Sequence, residues 1–450
     1  MRNAIVGVIV AIGFLSGRVE CAQAPPSRDA AVPQESPFER RVYSVEPLTL
    51  QQAIDATLTA NPQLIALRKQ FESTRHRPDQ DRFLSPPMME AQIWQWPLNT
   101  LNPWNTNMYM FMATQELPGR GKRQLRAAVA ENDVALASVD IDTRARQVVD
   151  AVKQAYLDLF LARKSIDIHV STVDLLRQFA DVSQAKYTTG RISQQDVLKA
   201  VVELTRLSDD LIVFGQQADL AGARLNTLMD RPVDAPIAPL VAPRERLLLP
   251  AAEELQRMAI ERQPEVHMAR LQVERAQSEL AVAEREYKPD FSVTGGYLLM
   301  PNQTDSWLGK VTVTWPRAPW SRGRIDARVA ETTAAVDAAK ARERAVENAL
   351  RLAVQEAYLR VKAAERRAAL LRSTVLPQSQ QTLEVSRIAY QADRGDFLAL
   401  LDNERTLLNV QHDYNKALTD FEQGLADLER AIGADIAPAM LAAVNGTEVN

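Results

Sequence analysis

Three methionines, Met108, Met110 and Met112, alternate with Tyr109 and Phe111, and Met88 and Met89 stand a short way before them. On a β-strand such alternation puts the three thioethers on one face. Soft sulfur ligands there would suit copper or silver ions passing along a relay. The simpler reading is a lipid-facing or packed apolar stripe. His76, His169, His267 and His412 stand alone in the sequence, none with another histidine three or four residues away, so they offer no zinc or copper pair. His169 falls instead on an apolar helical seam. Arg394-Gly395-Asp396 matches an adhesion tripeptide, but a turn between helices explains it more simply. There is no Gly-rich phosphate loop, nucleophile elbow or paired metal-binding histidine motif. The residues therefore point to no catalytic, cofactor or metal site, and to a protein that is not an enzyme.

One cysteine, Cys21, in 450 residues leaves no internal disulfide and no thiolate cage. Met1-Arg2-Asn3, an apolar run from Ala4 to Leu15 and small or polar residues up to Ala24 make residues 1–24 a secretory signal peptide. Arg18-Val19-Glu20 before Cys21 make a poor lipoprotein site, so Cys21 is expected to be removed or left unacylated. No later stretch has the roughly 18 to 20 uninterrupted apolar residues of a spanning helix, so a membrane segment here must be made of strands. A net charge of −4 from 53 basic and 57 acidic residues presents no basic face for nucleic acid. Only 16 glycines among abundant Ala, Leu, Arg, Glu and Gln favour long helices.

The elements that would position any site are written twice. Tyr156 and Tyr358 lie 202 residues apart within similar segments, as do Asn61-Pro62 and Gln263-Pro264, and Arg120-Gly121 and Arg322-Gly323. Pro86 and Pro289, Tyr187 and Tyr390, and Leu225 and Leu428 are 203 apart. The implied organisation is a Pro-rich lead over residues 25–47, a first repeat over 48–230, a Pro-rich linker over 231–250, a second repeat over 251–433 and a tail over 434–450. Each repeat is expected to open with a helix of about 30 residues, from Leu50 to about Arg75 and from Glu253 to about Glu286. Two strands follow in each, about 88–97 and 106–116, then about 291–300 and 308–315. Runs of about nine to eleven residues match tilted transmembrane strands, and Lys310 to Trp315 alternates polar and apolar. Trp94, Trp96, Trp104, Trp307 and Trp315 cluster at these runs, as interfacial aromatics do. Four strands cannot close a barrel, and open edges are not tolerated in lipid, so several chains must share one.

The long stretches after the strands carry heptad seams: Val148, Val152, Ala155, Leu159, Ala162, Ile166, His169, Val173 and Leu176, then Val346, Leu350, Ala353, Ala357 and Val361. The first runs without proline from Arg120 to Lys186; the second meets a break at Pro377. The chain turns back at tips over residues 187–193 and 390–396.

Signal peptide, duplicated strand pair and hairpin, and the tip patterns Tyr187 to Gly190 and Tyr390 to Gly395 together resemble the TolC-like outer membrane efflux proteins over nearly the whole mature chain. The segment Gln115-Glu116-Leu117-Pro118-Gly119-Arg120-Gly121-Lys122-Arg123, with Pro86-Pro87-Met88-Met89 before it, is most similar to the heavy-metal branch that includes CusC and CzcC. The resemblance implies a mainly α protein with a membrane β-barrel. Three chains would each give four strands to a 12-stranded barrel in outer-membrane lipid, above a coiled-coil periplasmic tunnel. It implies a homotrimeric exit duct docked, through a periplasmic adaptor, onto an inner-membrane pump of the resistance-nodulation-division type, with heavy-metal cations as cargo. Drugs, solvents or secreted peptides are the alternative cargo, and a periplasmic adaptor protein is the rival class. Carried over by position, Asp402 of the second tip, Asp196 of the first, and Tyr390 and Tyr187 beside them mark the periplasmic aperture. Gly190, Arg191, Ile192, Ser193, Arg394, Gly395 and Asp396 form the adaptor-docking tips.

Overall fold

The computed structural model describes residues 46–95, 98, 102, 105–190, 192–242, 250–301, 303–392 and 394–436. The signal peptide with Cys21, nearly all of the Pro-rich lead, Trp96, Trp104, Arg191, part of the linker and most of the tail lie outside these residues.

Helices α1 (Leu50–Ala60) and α2 (Pro62–Thr74) replace the single opening helix expected in the first half. The reason is Pro62, whose ring pushes the preceding residue out of the helical region. Asn61 takes φ −60° and ψ 120°, and its side chain accepts from the N–H groups of Gln63 and Leu64. The second half splits in the same way into α6 (Ala252–Arg262) and α7 (Pro264–Arg285) at Gln263, with φ −72° and ψ 122°. Asn61 donates to the Leu228 carbonyl at 3.1 Å, and Gln263 donates to the Arg430 carbonyl at 3.0 Å. Each kink is thus pinned to the end of a long helix, which ties the Asn-Pro and Gln-Pro landmarks to packing. A short α3 (Arg77–Arg82), started by Pro78, was not expected.

Four antiparallel strands, β1 (Met88–Trp94), β2 (Met108–Leu117), β3 (Phe291–Leu299) and β4 (Ser306–Val313), make one sheet in that order. The expected strand pairs are present with shifted ends. The final strand starts two residues earlier and stops at Val313, which leaves Trp315 in the turn beyond it. The pairing of β2 with β3 joins the two halves of the chain. Register separates two faces, because directly paired residues share a side. One face carries Met89, Ala91 and Ile93, then Tyr109, Phe111 and Ala113, then Phe291, Val293, Tyr297 and Leu299, and finally Trp307, Val311 and Val313. Gln115 is its one strongly polar side chain. The other face carries Glu90, Gln92, Thr114, Glu116, Ser292, Thr294, Lys310 and Thr312, together with Met88, Met108, Met110 and Met112, and with Trp94, Leu298 and Leu308 toward its turn end. The methionine triad therefore lies on the polar face, away from the apolar one.

Below the sheet, α4 (Lys122–Thr188) runs for 67 residues, about 100 Å at 1.5 Å per residue, and α5 (Gln194–Leu228) returns along it. Helix α8 (Arg322–Leu370), a π turn at Leu371–Val375, α9 (Leu376–Gln391) and α10 (Phe397–Ile432) repeat that order. The expected break at Pro377 is instead a widened turn inside a continuous helical path. Proline has no N–H for the preceding turn, and the π turn re-spaces the carbonyls that would have lost their donor. On α4 the seam from Val148 to Leu176 is buried except for Ile166, which packs partly buried against it. Along the expected seam of α8 the buried residues are Leu350, Val354, Ala357 and Val361, with Val346 half-buried, so Val354 takes the place expected for the exposed Ala353. Among the described residues, no helix is long and apolar enough to cross a membrane.

Candidate functional site

The two hairpin tips are held by different chemistry. Gly190 closes the first with φ 68°, and its N–H donates to the Tyr187 carbonyl at 2.9 Å. Ser193 and Asp196 then start α5, the Asp196 carboxylate accepting from the Ser193 N–H at 3.3 Å and its hydroxyl at 3.0 Å. At the second tip Asp396 caps α10 by accepting from the Leu398 N–H, and Arg394 N–H donates to the Ala389 carbonyl. Arg394-Gly395-Asp396 is therefore a turn and helix cap. Gly395 is needed there, since a Cβ would fall 2.9 Å from the Tyr390 nitrogen.

Tyr390 is buried, packs on Phe397 at 5.6 Å and shares a 3.0 Å hydrogen bond with Ser183 of α4. Lys186 of α4 donates to the Tyr390 carbonyl at 2.6 Å and stands 4.1 Å from the centre of its ring. Tyr187, its counterpart by position, is about 39% exposed. The structure thus makes Tyr390, and not Tyr187, the clasp between the tips. Ile192 is half-buried, and Asp402 and Ala399 are exposed on α10.

Less than a turn beyond Asp402 lies a buried ionic group that helical spacing does not reveal. Glu404 and Glu203 are both buried, and Arg405 grips Glu203 with two nitrogens in the bidentate manner. Glu404 is bonded by Thr172 of α4, while its Oε2 is buried without a partner. Burial, reinforced by the charge of Glu203 and only partly offset by Arg405, pushes Glu404 up to about 7. Periodicity hides this residue, because a lone glutamate inside an amphipathic helix reads as solvated. Higher up, the fold brings together His169 and His412, which sequence spacing left apart. Ser165 bonds both, its carbonyl accepting from His169 at 2.8 Å, and Phe214 packs against both rings. Burial first, and His169 second, hold His412 below its ordinary value. No cluster of three metal-ligating His, Cys, Asp or Glu side chains occurs among the described residues.

At the other end of α4, the Leu117 to Lys122 segment joins sheet to stem through Asp290. Its carboxylate accepts from the Gly119 N–H at 2.7 Å and from Lys122 at 2.8 Å, while Arg285 donates to the Arg120 carbonyl at 3.0 Å. Partial burial opposes ionisation of Asp290, but these donors outweigh it and hold the carboxyl below its ordinary value. Gly121 sits at φ 90° against Arg285, whereas a Cβ on Gly323, its repeat partner, would meet nothing within 4 Å. Gly121→Ala is expected to lower the thermal stability of the assembled protein by about 1 to 2 kcal/mol, from left-handed strain alone. Gly323→Ala is expected to be neutral or slightly stabilising. Equal melting of the two variants would remove the junction from the rigid part of the molecule.

Aromatic side chains stand at both ends of the sheet. Trp307 lies on the apolar face with Tyr297 at 5.2 Å, and Trp94 lies on the polar face opposite Met108. Trp315 packs edge-on to Trp320 at 6.0 Å at the helical end. The chain thus presents an open antiparallel sheet with one apolar face and aromatic ends, joined to a long helical stem.

Residues 255–434 match the sequence model of the family described as "Outer membrane efflux protein". The chain is 23% identical over 438 residues to the cobalt-zinc-cadmium resistance protein CzcC of Cupriavidus metallidurans, covering 96% of this chain and all of that one. Its fold is similar to that of CusC, with a TM-score of 0.74 at 16% identity over 92% of this chain and 100% of that one. The outer membrane protein VceC of Vibrio cholerae is also similar, with a TM-score of 0.73 at 15% identity over 86% of this chain and 96% of that one.

Proposed function

We propose that the chain is one of three subunits of an outer-membrane exit duct, which passes heavy-metal cations from an inner-membrane pump and its periplasmic adaptor to the outside. The observation that carries this is the four-stranded sheet, whose β1 and β4 edges have no strand partner among the described residues and one of whose faces is apolar. Strand β4 runs opposite in direction to β1, so the β4 edge of one copy continues the antiparallel order when it meets the β1 edge of the next. Three copies in rotation close a 12-stranded barrel with the apolar face toward lipid and the polar face toward the lumen. Trp307 on the apolar face then lies at one membrane interface and Trp315 near the other, whereas Trp94, expected at an interface, stands on the polar face and turns toward the lumen. The cargo reading rests on likeness to CzcC, a protein named for cobalt, zinc and cadmium resistance. Crosslinked protein in detergent is expected to run as a trimer that conducts ions in planar bilayers. A monodisperse monomer that still conducts would overturn the reading, and a deletion strain with unchanged tolerance to cobalt, zinc, cadmium, copper and silver would overturn the cargo.

In this duct the tips are the parts farthest from the barrel. Gly190, Arg191, Ile192 and Ser193, with Arg394, Gly395 and Asp396, dock the adaptor, and Asp402 with Asp196 rings the aperture. Because Asp196 also holds its own helix start, Asp402 is the freer of the two carboxylates. Charge reversal at Arg191 and Arg394 is expected to abolish export while trimers stay intact. Normal export by that double variant would remove the tips from the docking surface.

A further inference from the structure

On a lumen-facing strand, the least expected residues are methionines. Water-facing strand positions favour polar and β-branched side chains, and each exposed thioether leaves apolar area in water. Yet Met108, Met110 and Met112 occupy three successive positions on the polar face of β2 and are only half-buried there. Met88 of β1 joins them, paired with Thr114, the next position along the same face. Successive same-face positions are about 7 Å apart along a strand, and diagonal neighbours on adjacent strands are about as close, within reach of flexible thioether arms. The four methionines therefore form a row that follows β2 and steps to β1 on one face, rather than a packed patch across the sheet.

Two neighbours shape the row. Glu90 pairs directly with Met112, which puts a carboxylate beside that thioether on the same face. Gly296 pairs with Met112 from the other side, and a Cβ there would stand 2.9 Å from the Met112 Cγ, so the missing side chain is what gives Met112 room to lie over β3.

We infer that Met88, Met108, Met110 and Met112, with Glu90 at one step, form a transit track for soft monovalent metal cations, copper(I) or silver(I), on the lumen face of each subunit. The inference rests on the duct reading for the word lumen, but the sulfur site itself rests only on the strand register. Thioethers are soft and uncharged, so they select copper(I) and silver(I) over zinc and cobalt, which take nitrogen and oxygen more readily. Lack of charge also keeps each step weak, and a cation moving through a pore must leave each site as easily as it enters. The ion exchanges one pair of sulfurs for the next with its charge unchanged, so no electron or proton is transferred.

The test uses the full-length protein in detergent, with Cys21→Ser in every sample so that no thiol competes. Silver(I) is titrated in chloride-free buffer, bound metal is measured after dialysis, and the silver ligands are read by X-ray absorption. The parent is expected to hold at least one silver ion per chain with sulfur ligands, and the variant M108L/M110L/M112L to bind about tenfold or more weakly. Leucine keeps the volume and apolar character of each position, and M89L, on the opposite face, is expected to bind as the parent does. No sulfur-ligated silver in the parent, equal binding by the triple variant, or equal loss in M89L would each overturn the track. Bilayer conductance and crosslinking of the same samples separate the two readings. A parent that binds silver through sulfur but forms no conducting trimer would sink the duct and leave the sulfur site standing.

Discussion

In a Glu404→Gln variant, amides of α10 near Leu401 and Leu408 are expected to exchange with solvent more slowly than in the parent at pH 8, and at about the same rate at pH 4. Glu404 is raised from 4.5 to about 7 by burial and by Glu203, so the folded protein binds its proton more tightly than the unfolded chain does. The associated stability is fully present below pH 4.5 and is lost as the pH rises through about 7. At pH 8 the parent holds an ionised carboxylate in a buried site, with Glu203 of α5 against it and Arg405 and Thr172 as the compensating groups. Glutamine keeps the shape and a hydrogen-bonding group but removes the charge. A rise of this size corresponds to roughly 3 kcal/mol at most, or on the order of a hundredfold in local protection. Since both proteins are compared at one pH, intrinsic exchange rates cancel. Identical protection in both at pH 8 would show that Glu404 is not a strained carboxylate. Because α4, α5 and α10 meet there, just above the tips, that strain acts on the end of the tunnel where Asp402 stands.

Substituting Val202→Asp and Ile212→Asp together is expected to abolish the proposed trimer and leave the chain folded as a monomer. Val202 is 66% exposed and Ile212 is 68% exposed, so neither aspartate disturbs the packing within one chain. These residues belong to a stripe on α5 with Leu198 and Leu220, while Val385 and Ile388 on α9 and Leu359 and Leu370 near the end of α8 form a second stripe. The two stripes match in height. Glu203 bonds Arg405, and Asn403 of the same turn bonds Ser386, so the Val202 level is the level of Val385. Phe214 packs on His412, beside Asp413, which pairs with Arg367, so Ile212 lies level with the end of α8. A neighbour that covered the first stripe with the second would bury both, and an unpaired carboxylate in such a seam costs several kcal/mol. Six of them per assembly leave no stable trimer. Sedimentation in detergent and gel mobility without heating read the result. Intact trimers would mean that the α5 stripe faces something other than a second copy.

The sequence by itself determined the features that depend on near neighbours along the chain. Strand pairs follow from alternation and turns, the long seam of α4 from its heptads, and the tips from Gly190, Gly395 and their caps, because each needs only local periodicity or a local backbone demand. Near-neighbour chemistry also carries the kinks at Asn61 and Gln263, although the expected 30-residue helices overlooked the constraint that proline places on the residue before it. The tertiary structure decided what depends on contacts between distant segments. Register across β1, β2 and β3 moved the methionine triad to the polar face, since a shift of one residue would have reversed every side. Glu203 and Arg405 are 202 residues apart in sequence, and no local pattern could reveal that they meet or that Glu404 is buried beside them. The same holds for Asp290, which reaches Gly119 and Lys122 across the two halves, and for Tyr390 on Ser183. A charged or polar residue read along one helix looks solvated, and only the packing of other helices against it shows that water has been removed.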